Sequence, residues 1–240
     1  MIHSFTTIEL LAHEAKNQIL NAARQAVAER GLFHWVLSGG STPKLIFPAL
    51  AADPAFRQLA PSIHIWWGDE RSVPHTHPDS NVLMAWEFLL HNLPIPSEQI
   101  HAPNGGAHDL PAEARRYEVE IRSFVPTNVE GLPVFDFVML GMGTDGHTAS
   151  LFPGTEALGI QDRLFVENNV PQLNTQRLTL TFPILNAARF LQIIATGDSK
   201  AGVISEIFNN KPHRYPIELL QGNVHWLCDD AALSQVHPRG

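Results

Sequence analysis

Short apolar runs alternate with segments of helical periodicity along most of this 240-residue chain. In the first helical segment, residues 7–30, apolar side chains recur every three to four positions, and Gly31 follows as a stop signal. Further helical patterns cover residues 43–52, 81–91, 111–124 and 199–209. The apolar runs predict buried strands at residues 33–37, 63–67, 135–140, 178–182, 190–196 and 224–227.

This alternation of strands and helices predicts an α/β protein. Buried apolar strands separated by helices are typical of a doubly wound, mostly parallel sheet that carries helices on both faces. The loops at residues 103–109 and 126–133 contain proline and glycine, but each is too short to be a domain linker. We therefore expect residues 1–240 to form a single α/β domain.

Composition and charge limit the kinds of molecule that the protein can be expected to bind. Hydrophobic residues make up 44% of the chain and charged residues 17%, as in ordinary globular proteins. The formal net charge of −8 argues against a nucleic-acid partner, which needs a basic surface. It does not argue against an anionic substrate, because the local field of a cleft matters more than the net charge.

The same sequence carries no sign of export or membrane insertion. Cys228 is the single cysteine, which excludes an internal disulfide and suits a reducing compartment. Residues 1–15 lack a basic region followed by an apolar segment, and no apolar run approaches the ~20 residues that span a bilayer. We expect a cytoplasmic protein that has no membrane partner.

The first candidate site follows the strand predicted at residues 33–37. Its sequence, SGGSTP, combines two glycines for a tight turn, two hydroxyl residues that can cap a helix, and a proline at the first helical position. Amides at such a helix start form a natural site for phosphate or carboxylate. A plain, well-capped turn is the alternative interpretation. The candidate anion-binding residues are Gly39, Gly40, Ser41 and Thr42.

The second candidate site follows the strand predicted at residues 135–140. Three glycines bend the chain there and deliver Asp145 and His147 to the predicted start of a helix. Imidazole is the side chain most easily used for proton transfer near neutral pH, so His147 is a candidate general base. A partly buried structural histidine is the alternative.

The glycines Gly141, Gly143 and Gly146 also match G-x-G-x-x-G, the dinucleotide-binding pattern. Glu167 even lies about 20 residues downstream, where that pattern places an acidic residue. However, Pro153 would cut the helix that should receive the pyrophosphate to about two turns. We therefore favour a site without a nucleotide cofactor.

Charged residues follow two other predicted strands. Asp69, Glu70 and Arg71 come directly after residues 63–67, at the sheet edge where ligands of α/β proteins bind, although such a triplet is often a solvated loop. Lys200 falls in the first turn of the helix predicted at 199–209, where a cation opposes the helix dipole. If an anion binds at the same helix start, the lysine can form an ion pair with it, which would explain the unfavourable position of the cation.

The segment at residues 75–79, HTHPD, has a spacing that can chelate a metal. Two histidines two positions apart in a proline-bounded loop are weak support for a metal site, because no second ligand pair accompanies them. We expect a solvated loop there and no metal.

Taken in this order, these motifs resemble the 6-phosphogluconolactonase family, and the resemblance runs over nearly the whole chain. The wider superfamily includes the glucosamine-6-phosphate deaminases, and it implies a Rossmann-like parallel sheet with helices on both sides. The implied activity is hydrolysis of 6-phosphoglucono-1,5-lactone to 6-phosphogluconate, in the oxidative branch of the pentose phosphate pathway. The matching segments are LSGGSTP at 37–43, WWGDERSVP at 66–74, DSN at 79–81, LGMGTDGHTASLFPG at 140–154, RLTLTFP at 177–183 and GDSKA at 197–201.

The resemblance also implies roles for individual residues. His147 would activate the water that attacks the lactone carbonyl. Asp69 lies where the deaminases use an acidic residue to abstract a proton. Arg71 stands where the deaminases have an aromatic residue, and Thr148-Ala149-Ser150 replaces their apolar-ended version; both departures favour the lactonase. The groups implied to hold the substrate phosphate and carbonyl are Gly39, Gly40, Ser41, Thr42, Arg71 and Lys200, and Arg177 opens a further matching motif.

The chemistry of a δ-lactone agrees with this assignment. It is an activated ester that needs an aligned water, a base and stabilisation of an oxyanion, so we expect neither a metal nor a redox cofactor. We expect Asp145, two residues before His147, to orient or tune the imidazole. Two alternatives stay open: a deaminase or isomerase of glucosamine 6-phosphate that acts through Asp69, and a non-catalytic protein that binds a sugar phosphate.

Overall fold

The computed structural model describes residues 1–209 and 214–236 of the chain. The strands are β1 (Ile2–Phe5), β2 (Phe33–Leu37), β3 (Ile63–Trp67), β4 (Asp69–Arg71), β5 (Phe137–Gly141), β6 (Phe165–Val170), β7 (Thr175–Leu180), β8 (Leu191–Ala195) and β9 (Val224–Asp229). The helices are α1 (Ile8–Arg30), α2 (Pro43–Ala51), α3 (Pro54–Leu59), α4 (Asn81–Phe88), α5 (Leu110–Phe124), α6 (Phe182–Asn186), α7 (Ala201–Phe208) and α8 (Asp230–Leu233).

The central sheet confirms the predicted α/β class and its parallel, doubly wound arrangement. Its six strands lie in the order β1-β9-β8-β5-β2-β3, and every neighbouring pair is parallel. Their carboxyl ends therefore point to one edge of the sheet, where ligands of such folds bind. Among the described residues, no helix is long and apolar enough to cross a bilayer.

Alternate residues of the central strands enter two separate cores. In β2, Trp35 and Leu37 face the core that contains α1 to α4, whereas Val36 faces the core that contains α5 to α8. In β5, Val138 and Leu140 join the second core in the same way. Because these strands are buried on both faces, they appear in the sequence as continuous apolar runs.

A second sheet of three strands was not predicted. Its order is β4-β7-β6, and both pairings are antiparallel. The predicted strand at 178–182 is wrong in position: β7 covers Thr175–Leu180, and α6 begins at Phe182, with Pro183 in its first turn. The strand β4 is the charged segment Asp69–Arg71, so its sequence lacks the apolar signal of a strand.

The helix expected to begin at His147 is also wrong. Residues 142–155 contain turns and an isolated bridge between Thr148 and Leu151, and the next helical segment is the short 3-10 turn Glu156–Gly159. Ala149 adopts a φ of 47°, a left-handed conformation that L-residues rarely take and that an α-helix cannot contain. The imidazole is therefore carried by an irregular loop and not by a helix terminus.

Three histidines lie together in the core beneath α5. His34 and His64 are partners across β2 and β3, and the ring nitrogens of His64 and His101 are 2.9 Å apart. Burial lowers the pKa of His34 to about 3, and burial followed by the charge of His101 lowers the pKa of His64 to about 4. The folded protein thus keeps both rings neutral at pH values where an unfolded chain protonates them.

The lowered pKa values of His34 and His64 predict that the folded protein loses stability in mild acid. The unfolded state binds more protons below an ordinary histidine pKa of 6.5, so the free energy of unfolding should fall as pH drops from about 6.5 to about 4. Each histidine contributes a slope of about 1.4 kcal/mol per pH unit in that window. Denaturant unfolding curves at each pH measure the slope.

The matched variants for this prediction are His34→Asn and His91→Asn. An asparagine at position 34 does not titrate, and its amide oxygen can accept the hydrogen bond that His34 Nδ1 accepts from Trp66 Nε1 at 3.3 Å. It should reduce the slope, whereas the same change at the exposed His91 should not. Equal slopes for wild type and His34→Asn would contradict the assignment.

Candidate functional site

A cavity of about 210 Å³ opens at the carboxyl ends of the central strands. It is formed by loops that follow β2, β5 and β8 and by the charged strand β4. The predicted residues that line it are Gly39, Gly40, Ser41, Thr42, Asp69, Arg71, His147 and Lys200. Two predicted residues, Asp145 and Arg177, lie outside the lining and contact or face residues within it.

The glycine loop after β2 brings the start of α2 to the cavity. Gly40 adopts a φ of 107°, which is accessible to glycine and strained for other residues. Thr42 is the N-cap of α2 and Pro43 is its first residue, but the Thr42 side chain makes no capping hydrogen bond. The predicted capping by a hydroxyl is therefore wrong, and the Thr42 side chain is not committed to the helix.

Gly39 lies directly against α4. A Cβ atom built on it would lie 2.0 Å from Asn81 Oδ1, so only glycine allows this approach. Asn81 Nδ2 in turn donates to the carbonyl oxygen of Asp69 at 3.0 Å and to its carboxylate at 3.2 Å. Asn81 thus joins the glycine loop to β4, a contact that no local sequence signal predicts.

His147 is held by its own loop. Its Nδ1 lies 2.6 Å from Asp145 Oδ1, and Asp145 also accepts from the His147 backbone amide at 3.2 Å. The carboxylate accepts a hydrogen bond from Nδ1–H, so Nδ1 keeps its proton and Nε2 is the nitrogen with a free lone pair. Gly143 makes this possible, because a Cβ there would lie 2.1 Å from His147 Nδ1 and 2.7 Å from Asp145 Oδ1.

Two further contacts surround this loop. The ring of Phe152 stacks on the imidazole with centroids 3.9 Å apart and planes inclined by 25°. Tyr215 packs over Gly146, which has a φ of 74°, and the amide of Ile217 donates to the Gly146 carbonyl at 3.1 Å. These contacts could not be predicted from hydrophobic periodicity, because the residues lie in irregular loops.

Asp69 is buried in a network of hydrogen bonds. Ser150 Oγ donates to its Oδ2 at 2.7 Å, and Asn81 Nδ2 donates to its Oδ1 at 3.2 Å. Both carboxylate oxygens are therefore engaged by neighbouring side chains. This arrangement fixes Asp69 in the cavity lining, and its contact with Ser150 joins β4 to the loop that carries His147.

The neighbouring Glu70 faces away from the cavity and caps α4. Its carboxylate accepts from the amides of Asn81 and Val82, each at 2.8 Å, and from Ser80 Oγ at 3.0 Å. Burial raises the pKa of Glu70, and these hydrogen bonds oppose that shift. Glu70 thus fixes the position of Asn81 relative to β4.

Cationic side chains lie on two sides of the cavity. Arg71 and Arg177 are direct partners across β4 and β7. Burial, followed by the charge of Arg71, lowers the pKa of Arg177. Burial also lowers the pKa of Lys200, and the charge of Asp229 opposes that shift. Acidic side chains lie near these cations, but within the described part of the chain none of the three forms an ion pair, so an anion in the cavity would be stabilised by them.

The segment predicted to be a solvated loop, residues 75–79, has separate local contacts. His75 Nε2 donates to the carbonyl oxygen of Pro103 at 2.8 Å, while His77 Nδ1 lies 3.7 Å from Asp79 Oδ2. Across residues 1–209 and 214–236, no group of three or more His, Cys, Asp or Glu side chains is arranged to hold a metal ion.

Comparisons with known proteins agree with the motifs of this site. A family model described as glucosamine-6-phosphate isomerases/6-phosphogluconolactonase matches residues 6–226. A 6-phosphogluconolactonase of Synechocystis is 39% identical over 236 residues, which cover 96% of this chain and 95% of the relative. One from Nostoc is 40% identical over 220 residues, 89% of each chain. The solved 6-phosphogluconolactonase of Trypanosoma brucei has a TM-score of 0.87 at 28% identity and covers 99% of this chain and 98% of its own.

Proposed function

This chain belongs to the family of glucosamine-6-phosphate isomerases and 6-phosphogluconolactonases, and we propose that it acts in it as a 6-phosphogluconolactonase with His147 as general base. The enzyme hydrolyses 6-phosphoglucono-1,5-lactone to 6-phosphogluconate, a step of the pentose phosphate pathway. The observation that carries the proposed mechanism is that one cavity holds an imidazole with a free Nε2 and cations that suit a phosphate.

In the proposed reaction His147 carries out both proton transfers, and no second acid or base is needed. Its Nε2 takes a proton from water as the water oxygen attacks the lactone carbonyl, which gives a tetrahedral oxyanion. When this intermediate collapses, the bond between the carbonyl carbon and the ring oxygen breaks. The imidazolium returns its proton to that ring oxygen, which becomes the free hydroxyl of the product acid.

The surrounding groups supply position and charge. Asp145 accepts from Nδ1 and stabilises the imidazolium that forms during attack. Arg71, Lys200 and the amides of the glycine loop are proposed to bind the phosphate and to stabilise the oxyanion. Arg177 adds a second positive charge beside Arg71, on the neighbouring strand β7.

The alternative of a deaminase or isomerase requires Asp69 as the base. The hydrogen bonds from Ser150 and Asn81 to its two carboxylate oxygens favour a structural role for Asp69. Release of ammonia from glucosamine 6-phosphate would support the deaminase. Binding of a phosphosugar without turnover would support a non-catalytic binding protein, the other alternative.

The decisive experiment measures the decay of freshly generated 6-phosphogluconolactone with purified protein, after subtraction of spontaneous hydrolysis. We expect fast decay that persists in excess chelator, because an activated ester needs no Lewis acid. The absence of any acceleration would refute the proposed function. The cytoplasmic location, the single domain over residues 1–240 and the lack of nucleic-acid or membrane partners stay predictions.

Phosphate recognition gives a separate prediction. Arg71→Ala and Lys200→Ala should each lower kcat/KM for the phosphorylated lactone by about 10- to 100-fold, because charge-assisted hydrogen bonds contribute about 1.5–3 kcal/mol. Unphosphorylated gluconolactone should be a poor substrate and lose much less. Lys44→Ala removes an exposed cation of α2 outside the cavity lining and serves as the control. Equal losses for both lactones would mean that Arg71 and Lys200 do not recognise the phosphate.

A further inference from the structure

We propose that Phe152 is a positioning residue that holds the His147 ring in the orientation that general-base catalysis requires. This inference rests on the proposed function of His147. Its basis is the stacked contact between the two rings, at 3.9 Å between centroids, together with the way the backbone of Phe152 is fixed.

The contact is built on a rigid support. Phe152 is only 5% exposed, and its carbonyl oxygen accepts from the Thr155 amide at 3.2 Å and from Thr155 Oγ1 at 2.8 Å. The buried Asn168 of β6 donates from Nδ2 to Thr155 Oγ1 at 3.0 Å and to the Ser150 carbonyl at 2.8 Å. Residues on both sides of Phe152 are thus tied to the second sheet.

His147 needs such a support because its own loop holds only one point of the ring. The hydrogen bond from Nδ1 to Asp145 fixes the position of one ring atom, and the imidazole side chain is 28% exposed. The hydrogen bond at Nδ1 restrains rotation about the Cβ–Cγ bond but tolerates a range of angles, and the residual rotation displaces Nε2 from the substrate. A ring stacked against the imidazole face opposes that rotation.

This geometry also gives the second sheet a function. The sheet β4-β7-β6 carries Arg71 at one edge and Asn168 at the other. Through Asn168, Thr155 and Phe152 it supports the proton carrier, and through β4 it presents the cation. The relative position of imidazole and cation is therefore set by one small, hydrogen-bonded sheet.

The test compares Phe152→Leu with Phe182→Leu. Leucine at position 152 keeps an apolar side chain but removes the stacked ring, and Phe182 is a control of similar burial, at 4% exposed, outside the cavity lining. Stacking of two aromatic rings shifts an equilibrium between ring orientations by about 2- to 10-fold. We therefore expect Phe152→Leu to lower kcat by about 3- to 10-fold and to leave KM within about twofold of the wild type. Phe182→Leu should change stability without this selective loss of kcat.

The imidazole itself provides a second readout. Long-range ¹H–¹⁵N spectra of the wild type should show the His147 resonance, identified by its absence in His147→Gln, as the Nδ1–H tautomer. In Phe152→Leu the resonance should lose its aromatic ring-current shift and broaden as the ring samples several orientations, whereas the hydrogen bond to Asp145 keeps the Nδ1–H tautomer. The resonance should be unchanged in Phe182→Leu. Phe152→Met is the substitute if the leucine variant does not fold.

An unchanged kcat in Phe152→Leu, equal kcat losses in both variants, or a His147 resonance as sharp in Phe152→Leu as in the wild type would each overturn the inference. Failure of the proposed function is distinct, because it would appear as a wild type that does not hydrolyse the lactone. The line-width measurement needs no turnover and would still decide whether Phe152 orients the ring.

Discussion

Replacing His147 with alanine should lower kcat for 6-phosphogluconolactone by about 10²- to 10⁴-fold, the usual contribution of a general base. The physical reason is that the proton of the attacking water then has no acceptor in the cavity of suitable strength. Initial rates at saturating lactone, corrected for spontaneous hydrolysis, measure the effect. Circular dichroism of the variant checks that the fold is intact.

His147→Gln separates proton transfer from hydrogen bonding. Glutamine can contact the water but cannot accept its proton, so this variant should be almost as slow as His147→Ala. A folded His147→Ala protein with near-wild-type kcat would refute the assignment. If Asp69→Asn were then inactive, the general base would have to be sought on β4, at Asp69.

The sequence predicts the part of the site that is formed by residues directly after the central strands. The apolar runs before Ser38, Asp69, Gly141 and Gly197 end at the same edge of a parallel sheet, so the residues that follow them were expected to meet there. Every residue predicted to bind substrate, except Arg177, does line that cavity. The glycines were informative for the same reason, because tight turns and close approaches limit the choice of residue.

The supporting contacts could not be predicted in this way. Phe152 reaches His147 only because residues 142–155 form an irregular loop, where neither helical nor strand periodicity relates positions in sequence to positions in space. Ser150 and Asp69 are 81 positions apart in the chain. The strand β4 was missed because its carboxylates are buried by specific hydrogen bonds, an arrangement that a charged triplet does not indicate.

Gly143→Ala should produce the other large loss, although it adds only a methyl group. That Cβ would overlap His147 Nδ1, Cε1 and Asp145 Oδ1, at 2.1, 2.2 and 2.7 Å, so the imidazole and its carboxylate partner must both move. A displacement of about 1 Å in a catalytic group can cost about 100-fold in rate, and we expect a loss of kcat of that order. Steady-state kinetics with the phosphorylated lactone measure it.

Gly159→Ala is the matched control for this substitution. A Cβ at Gly159 meets nothing within 4 Å, so the same chemical change should leave kcat within about twofold of the wild type. The double variant Gly143→Ala/His147→Ala decides whether the methyl group acts through the imidazole. If it does, adding Gly143→Ala to His147→Ala should cost nothing further, since both changes remove the same function. A further loss of about 100-fold in the double variant would mean that Gly143 serves the reaction independently of His147.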